Sequence, residues 1–419
     1  MTSQEKISAV WVYWAGGAIA DELRYSMRSV YQHFTDLQNI VLCGDKPQPD
    51  AETSENTSAA KPAVNRYTYV PGMRPSNPFI VIGTRPEAIK LYPLVLELKK
   101  RGVEPIVCCT GQHNRMVAEI LDEFSIRPTY SLCGRTLAES ITAVGNAVSQ
   151  SGTDVVIVQG DTRSSVAGAI AAFDLNVPVA HVEAGLRTYD VSSPRPEEFN
   201  RRVITLAAGL HFAATLTAAD NLRREGVPGA CTFVTGNTGI DALLAVASDA
   251  NPDGTVLVTA HRRENQGAGL LRICQAVSTL AMAHPNKQFV WPVHPNPAVA
   301  DTVKAHSFPD NVEIVPALSY QATVRTMCRC EAVFTDSGGL CEEAVTLGVP
   351  TVILRDKTER YEAVDAGLAT IAGTQTDLIV QQGTDAIAAP ANPRSKIFGD
   401  GHASARIVDG LLDYFRDRE

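Results

Sequence analysis

The chain of 419 residues is poor in aromatics, at 6%, and has no basic excess: 37 Lys and Arg stand against 46 Asp and Glu, a formal net charge of -9. That balance argues against nucleic acid or an anionic membrane as partner, and any anionic ligand needs a focused basic pocket. No apolar run suits a transmembrane helix, and no basic start leads into an apolar signal segment, so the expected location is the cytoplasm. The 9 cysteines are odd in number and lack framework spacing. Neither Cys108 with Cys109 nor Cys328 with Cys330 has a second cluster resembling a zinc site, so reduced, mostly buried thiols and no metal are expected. What the chain does have is length for two or more domains and 45% hydrophobic residues to fill their cores.

The densest chemistry lies in His181 to Arg202, HVEAGLRTYDVSSPRPEEFNRR. It follows an apolar run, Val177 to Ala180, that reads as a buried strand, so its polar residues should emerge at a strand's carboxyl end, where open α/β sheets bind ligands. Glu183, Glu197 and Glu198 sit there among Arg187, Arg195, Arg201 and Arg202, with Pro194 and Pro196 stiffening the loop. Such a mixture points to general acid/base chemistry on an anionic substrate; the plainer reading is a solvated, salt-bridged loop.

Along the chain, Ala9 to Trp14, Asp21 to Phe34 and Asn39 to Cys43 read as a short β-α-β unit, and Gly44 to Asn65 has linker composition. From Phe79 strands alternate with helices. The strand Phe79 to Ile82 runs through a glycine turn into the helix of GTRPEAIKLYPLVLELKK, with Leu91, Leu94 and Leu98 on one face. A helix start after a glycine turn offers free N–H groups and a positive dipole end to phosphate, with Arg85 in the turn and Lys90 nearby; the plainer reading, a surface charge, is as good for Lys90 but weaker for Arg85. Pro105 to Cys109 is a strand with Gln112 and His113 at its exit, and helices follow over Val117 to Phe124 and Leu137 to Gln150. Val155 to Val158 is a strand from which Asp161 emerges, either toward a ligand or as a helix cap. The second half repeats the pattern: strands Thr255 to Thr259, Gln288 to Val293 and Val333 to Phe334 end in AHRREN, HPNP and TDSGG. Ser337, Gly338 and Gly339 make a second phosphate cradle before a helix. Glu343, about one turn into that helix, can accept ribose hydroxyls or serve as a helix-start acid. Arg355, Glu359, Arg360 and Glu362 follow the strand Thr351 to Leu354, and Ala403 to Phe415 reads as a closing helix.

GTRPEAIK, GQH, GDT, HVEAGLRT, SPRPEE, GNTGIDAL, HRREN, PVHPNP, TDSGGLCEE and RDKTERYEA occur in this order from about Phe79 to the end. Together they resemble the non-hydrolysing UDP-N-acetylglucosamine 2-epimerases. The resemblance implies an α/β, GT-B-like fold: two Rossmann-like domains facing across a cleft, at about 78–247 and 248–400, with the closing helix at 401–419 crossing back. The resemblance leaves out residues 1–65, which read as an N-terminal β-α-β extension and linker; DELRYSMRSVYQHF and IVLCGDKP are similar to the start of some GT-A-like sugar transferases, or else mark a truncated appendage. It implies interconversion of UDP-N-acetylglucosamine and UDP-N-acetylmannosamine with no cofactor, by a homodimer. Carried over, it makes Asp161, Glu183, Glu197 and His261 catalytic. Arg85, Lys90, His261, Ser337, Gly338, Gly339, Glu343 and Arg360 would line the nucleotide and diphosphate site, Arg201 and His294 further cleft positions, and Gln112 and His113 a region near substrate or activator. The chain departs from the family at Cys341, Thr323, Tyr361, Asn114, Arg115 and Arg135, and the last three bear on the activator site of many bacterial members.

That inventory suits the chemistry. The sugar's C2–H has no adjacent carbonyl to acidify it, so its removal has to be coupled to departure of UDP from C1, which requires a carboxylate base and cationic diphosphate clamps. Other readings remain: an epimerase for a related UDP-2-acetamido sugar, a hydrolysing epimerase, a GT-B glycosyltransferase, or a non-catalytic nucleotide-sugar sensor.

Overall fold

The structure, a computed structural model, describes residues 77–112 and 114–416. The expected β-α-β unit and linker at 1–65, and His113, lie outside the described residues.

Two parallel sheets carry the fold. The first comprises β1 (Pro78–Ile82), β2 (Ile106–Cys109), β3 (Tyr130–Ser131), β4 (Val155–Gln159), β5 (Val179–Ala184), β6 (Leu210–Ala213) and β7 (Thr232–Val234), in the order β3-β2-β1-β4-β5-β6-β7. Its helices are α1 (Arg85–Lys100), α2 (Asn114–Glu123), α3 (Leu137–Ser151), α4 (Arg163–Asp174), α5 (Glu197–Ala207), α6 (Leu216–Arg224) and α7 (Thr238–Val246). The second sheet comprises β8 (Thr255–Thr259), β9 (Gln288–Val293), β10 (Val312–Pro316), β11 (Cys330–Thr335), β12 (Thr351–Ile353) and β13 (Ala369–Ile371), in the order β10-β9-β8-β11-β12-β13. With it go α8 (Ala268–Ala283), α9 (Pro297–Lys304), α10 (Tyr320–Met327), α11 (Gly338–Leu347), α12 (Tyr361–Asp365), α13 (Thr376–Ala388) and α14 (Ala403–Arg416). These are two Rossmann-like α/β domains. Strand runs such as PFIVI and VVIVQ are buried along their whole length, as strands covered by helices on both faces must be.

Strand order reverses between β1 and β4 in one sheet and between β8 and β11 in the other. Chains leaving a sheet on either side of such a reversal diverge and open a crevice at the strands' carboxyl ends. Both crevices receive the residues singled out by sequence: Arg85 and Asp161 follow β1 and β4, His261 and Ser337 follow β8 and β11.

Periodicity placed the elements well where it was strong. Leu91, Leu94 and Leu98 are all buried in α1, as expected. The closing helix crosses back, packing on α1 and α7; Asp241 in α7 accepts the N–H groups of Ala403 (3.0 Å) and Ser404 (2.7 Å) at its first turn. Two boundaries need correction. The strand expected to end at Ala180 starts at Val179 and continues to Ala184, because His181 and Glu183 are polar residues that the sheet buries. Arg85 is not in the turn but begins α1, where Glu87 reaches back to the N–H of Thr84 (2.7 Å) and closes a capping box.

Inside the first sheet His181 and His211 are register partners on β5 and β6, both buried. Burial pushes His181 down to about 4 and His211 to about 3. Unfolded, each takes up a proton near about pH 6.5, so below that pH the unfolded chain binds protons that the native one does not, and stability falls with pH by about 1.4 kcal/mol per unit for each. Replacing His211 by Gln should therefore shrink the stability lost between about pH 7 and about pH 5 by about 2 kcal/mol, read from urea midpoints at both pH values. An equal loss in both proteins would refute the buried, neutral imidazole.

Candidate active site

Glu183 is held by a local break in its own strand. Pairing between β5 and β6 steps from Val182↔Phe212 to Ala184↔Ala213, so Glu183 is an extra residue in the ladder, and its φ is +63°. A bulge of this kind re-aims a side chain, and a left-handed, non-glycine residue persists only where its surroundings impose it. Gly185 then completes the turn at φ +87°, where an added Cβ would lie 2.1 Å from the carbonyl oxygen of Ala218.

The carboxylate so presented accepts from Lys90 Nζ on α1, from Gln159 Nε2 at the end of β4, and from Arg360 across from the second domain (3.4 Å). Burial works against the Lys90 charge, but Glu183 and Glu342 outweigh it and hold the ammonium above its ordinary pKa. Arg360 is the hub: its Nε donates to Glu342 (2.7 Å) and its terminal nitrogens reach Glu359 and Glu183 (3.4 Å each). Glu359 also pairs with Arg355 (2.9 Å) and approaches Arg201 (3.6 Å). Arg201 in turn makes two 2.8 Å contacts to Asp161, from Nε and from a terminal nitrogen. Burial disfavours the Asp161 charge, and Arg201 more than compensates, leaving its pKa below the usual carboxylate value. One buried charge network thus joins residues that sequence had scattered over Lys90, Asp161, Glu183, Arg201 and Arg360. Asp161 is no helix cap, since Thr162 caps α4.

Other expected residues stand around it. Glu343 is buried beside the Tyr320 hydroxyl (3.3 Å); burial and the Glu342 charge push its carboxyl up to about 8, so it is protonated at neutral pH and can itself donate a hydrogen bond. Arg85 donates to the carbonyl of Leu318 (2.9 Å), linking α1 to the second domain, and burial lowers its pKa. His261 stacks on His294, centroids 5.3 Å apart. Its chain neighbours are fixed by Asp336, whose Oδ2 accepts the N–H groups of His261 and Arg262, both at 2.8 Å. Ser337 caps α11, its hydroxyl accepting from the Leu340 N–H. Glu197 starts α5, half-buried, with no hydrogen bond or ion pair among the described residues. Gln112 accepts from Ser164 (2.8 Å), which bonds Thr110, and has no contact with the carboxylate network.

Two residues of the dense stretch prove to be scaffold. Glu198, fully buried, takes the N–H groups of Thr188 (3.0 Å) and Tyr189 (3.2 Å) and braces Arg201 (3.3 Å). Arg187 makes a two-point pair with Glu225, 2.7 Å on each side. Conversely, Gln159, Asp336, Glu342 and Glu359 belong to the site and were not singled out for it. For Gln159 and Asp336 the signal is a polar residue at the exit of an apolar strand; Glu342, inside α11, and Glu359, beside Arg360, carry no such signal. A surface cavity of about 450 Å³, lined by Ser248, Asp249, Cys328 and Arg394 among others, shares no residue with this centre.

A family model described as UDP-N-acetylglucosamine 2-epimerase matches residues 96–412. The chain belongs to this family. Relatives include a probable UDP-N-acetylglucosamine 2-epimerase of Ralstonia nicotianae, 41% identical over 80% of this chain and 98% of the relative. The UDP-N-acetylglucosamine 2-epimerase of Bacillus subtilis is 39% identical over 81% and 96%. The crystal structure of UDP-GlcNAc 2-epimerase from Neisseria meningitidis bound to UDP-GlcNAc superposes with a TM-score of 0.75 at 36% identity, covering 80% of this chain and 100% of that one.

The two family glycines of the cradle are not equivalent. A Cβ on Gly338 would lie 2.7 Å from Arg360 Cζ, whereas one on Gly339 meets nothing within 4 Å. Gly338→Ala should cost about 1–3 kcal/mol of stability by displacing the guanidinium, while Gly339→Ala stays within about 0.5 kcal/mol of the parent. Equal urea midpoints for the two variants would contradict this packing.

Proposed function

We propose that the protein interconverts UDP-N-acetylglucosamine and UDP-N-acetylmannosamine by elimination and re-addition of UDP. A carboxylate removes the C2 proton while the C1–O bond breaks, its electron pair leaving with UDP, and C1=C2 forms in a 2-acetamidoglucal. UDP oxygen then adds back at C1 as an acid delivers a proton to the other face of C2. Asp161, Glu183 and Glu197 are the acid/base candidates. Lys90, Arg85, Arg360 and the N–H groups at the start of α11 serve the diphosphate, with His261 facing the leaving group. Glu343 meets the ribose, Arg201 orients Asp161, and His294 and Gln112 complete the cleft. The observation that carries this reading is the buried carboxylate of Glu183, presented by a bulge and engaged by cations from both domains. The division of the chain into 78–247, 248–400 and a closing helix follows the same reading.

The same proposal makes the protein a cytoplasmic homodimer. Free thiols buried at Cys108, Cys274, Cys330 and Cys341 support a reducing compartment. Exposed Phe173, Phe199 and Leu206 on the adjacent helices α4 and α5 support a covered face. No described helix is long and apolar enough to cross a membrane.

Incubation with UDP-N-acetylglucosamine in heavy water, followed at C2 by proton NMR, tests the function. Deuterium should enter C2 as UDP-N-acetylmannosamine appears. Retention of the C2 proton without product, despite binding, would refute it; free sugar as product would favour hydrolysis.

A further inference from the structure

Asp336 lies just beyond β11, 1% exposed. Its Oδ2 is saturated by three donors: the N–H groups of His261 and Arg262, at 2.8 Å, and Asn265 Nδ2, at 3.0 Å. Asn265 is itself tied to the Leu354 carbonyl (2.9 Å), so the carboxylate cannot swing. Its Oδ1 is buried, has no hydrogen-bond partner among the described residues, and stands 3.5 Å from His261 Nδ1. A buried carboxylate oxygen without a donor is costly, and here the anchored Oδ2 rules out turning the group to find one. The only adjustment left is on the histidine: a proton on Nδ1 and a small approach of the ring. Stacking on His294 at 14° limits the ring's other motions.

We infer that Asp336 is a positioning residue for His261, holding the proton on Nδ1 so that Nε2, on the far edge of the ring, meets the departing diphosphate. When Nε2 takes up a second proton it becomes a charged donor to that leaving group, and Asp336 stabilises the cation. That proton comes from solvent: one N–H bond forms on Nε2 as one O–H bond of a hydronium ion breaks. This rests on the proposed epimerase reading for the identity of the anion, and on geometry alone for the pairing. Among the described residues, the charged and titratable groups that face the ring are Asp336, Arg262 and His294. Burial lowers the His261 pKa and Arg262 acts in the same sense, while Asp336 opposes both. Removing the Asp336 charge therefore lets His261 lose its proton at lower pH.

The test is nitrogen–proton correlation NMR of the imidazoles in the full chain, with His261 assigned through His261→Gln. In the parent, neutral His261 should carry its proton on Nδ1. Asp336→Asn should lower its titration midpoint by about one pH unit or more, an opposite charge having been removed. A neutral ring protonated on Nε2 would overturn the inference without recourse to any variant, and so holds even where Asp336→Asn fails to fold. An unchanged midpoint in a folded Asp336→Asn protein would overturn it as well. In turnover, Asp336→Asn should lower kcat by about tenfold with little change in KM, bring the alkaline decline to lower pH, and add no further loss in a His261→Gln background. Full additivity of the two losses would show that Asp336 does not act through His261. Should the parent fail to exchange C2, the epimerase reading falls, while the ring's tautomer and midpoint still decide the pairing.

Discussion

Glu183→Gln should lower the rate of C2 deuterium exchange and of product formation by about 10³-fold, within the range general acid/base groups contribute, while UDP affinity changes by no more than a few-fold. The substitution is close to isosteric. The amide oxygen still accepts from Lys90 and Gln159, the two donors that converge on Glu183 Oε2. What disappears is the ability to take a proton together with the negative charge that Lys90 and Arg360 share, so the main loss should fall on kcat with some loss of stability beside it. The bulge at Glu183 is a backbone feature, set by its φ of +63° and by Gly185 behind it, and should persist in the variant. Asp161→Asn offers the informative comparison. It leaves an amide oxygen for the two 2.8 Å contacts from Arg201 but removes the charge that balances a guanidinium also meeting Glu198 and Glu359; some of its loss should appear in stability. If Glu183→Gln retained more than about a tenth of the parent rate, Glu183 would not be a catalytic base or acid, and Glu197 would become the leading candidate.

Arg360→Met should be the most damaging single change to the fold. The guanidinium is buried and serves three carboxylates, Glu342 at 2.7 Å and Glu359 and Glu183 at 3.4 Å. Replacing two charges with apolar groups can be neutral, but removing one member strands the others. Breaking a buried pair in this way costs about 3–5 kcal/mol. Glu359 keeps Arg355 and Glu342 keeps Asn237 (2.7 Å), so the loss should sit within that range and not above it. Arg360→Lys keeps the charge but not the fork, and a point ammonium cannot reach three carboxylates at once; an intermediate loss is expected. Urea midpoints at unchanged slope measure both. A loss under about 1 kcal/mol for Arg360→Met would mean that the network relaxes or admits water, and that it is not the clamp between the two domains described here.

Much of this was legible in the chain itself. Apolar strands ending in small or charged residues determined the alternating α/β architecture, because a strand covered on both faces must be apolar throughout while its exit need not be. Loop motifs in a fixed order determined the family, and they picked out Asp161, Glu183 and Glu197 as candidate acids and the turn from Ser337 to Gly339 as a candidate cradle. Only the tertiary structure decided how those residues divide the work. Glu197 and Glu198 are neighbours of one type, yet one stands unengaged and the other is buried as a brace for Thr188, Tyr189 and Arg201. Whether a carboxylate is a proton carrier or a strut depends on burial and on donors that arrive from distant strands, and these are set by how strand exits meet across two sheets. Local sequence carries no record of that meeting: the bulge that aims Glu183 and the single oxygen of Asp336 left facing His261 exist only once the sheets and turns have closed.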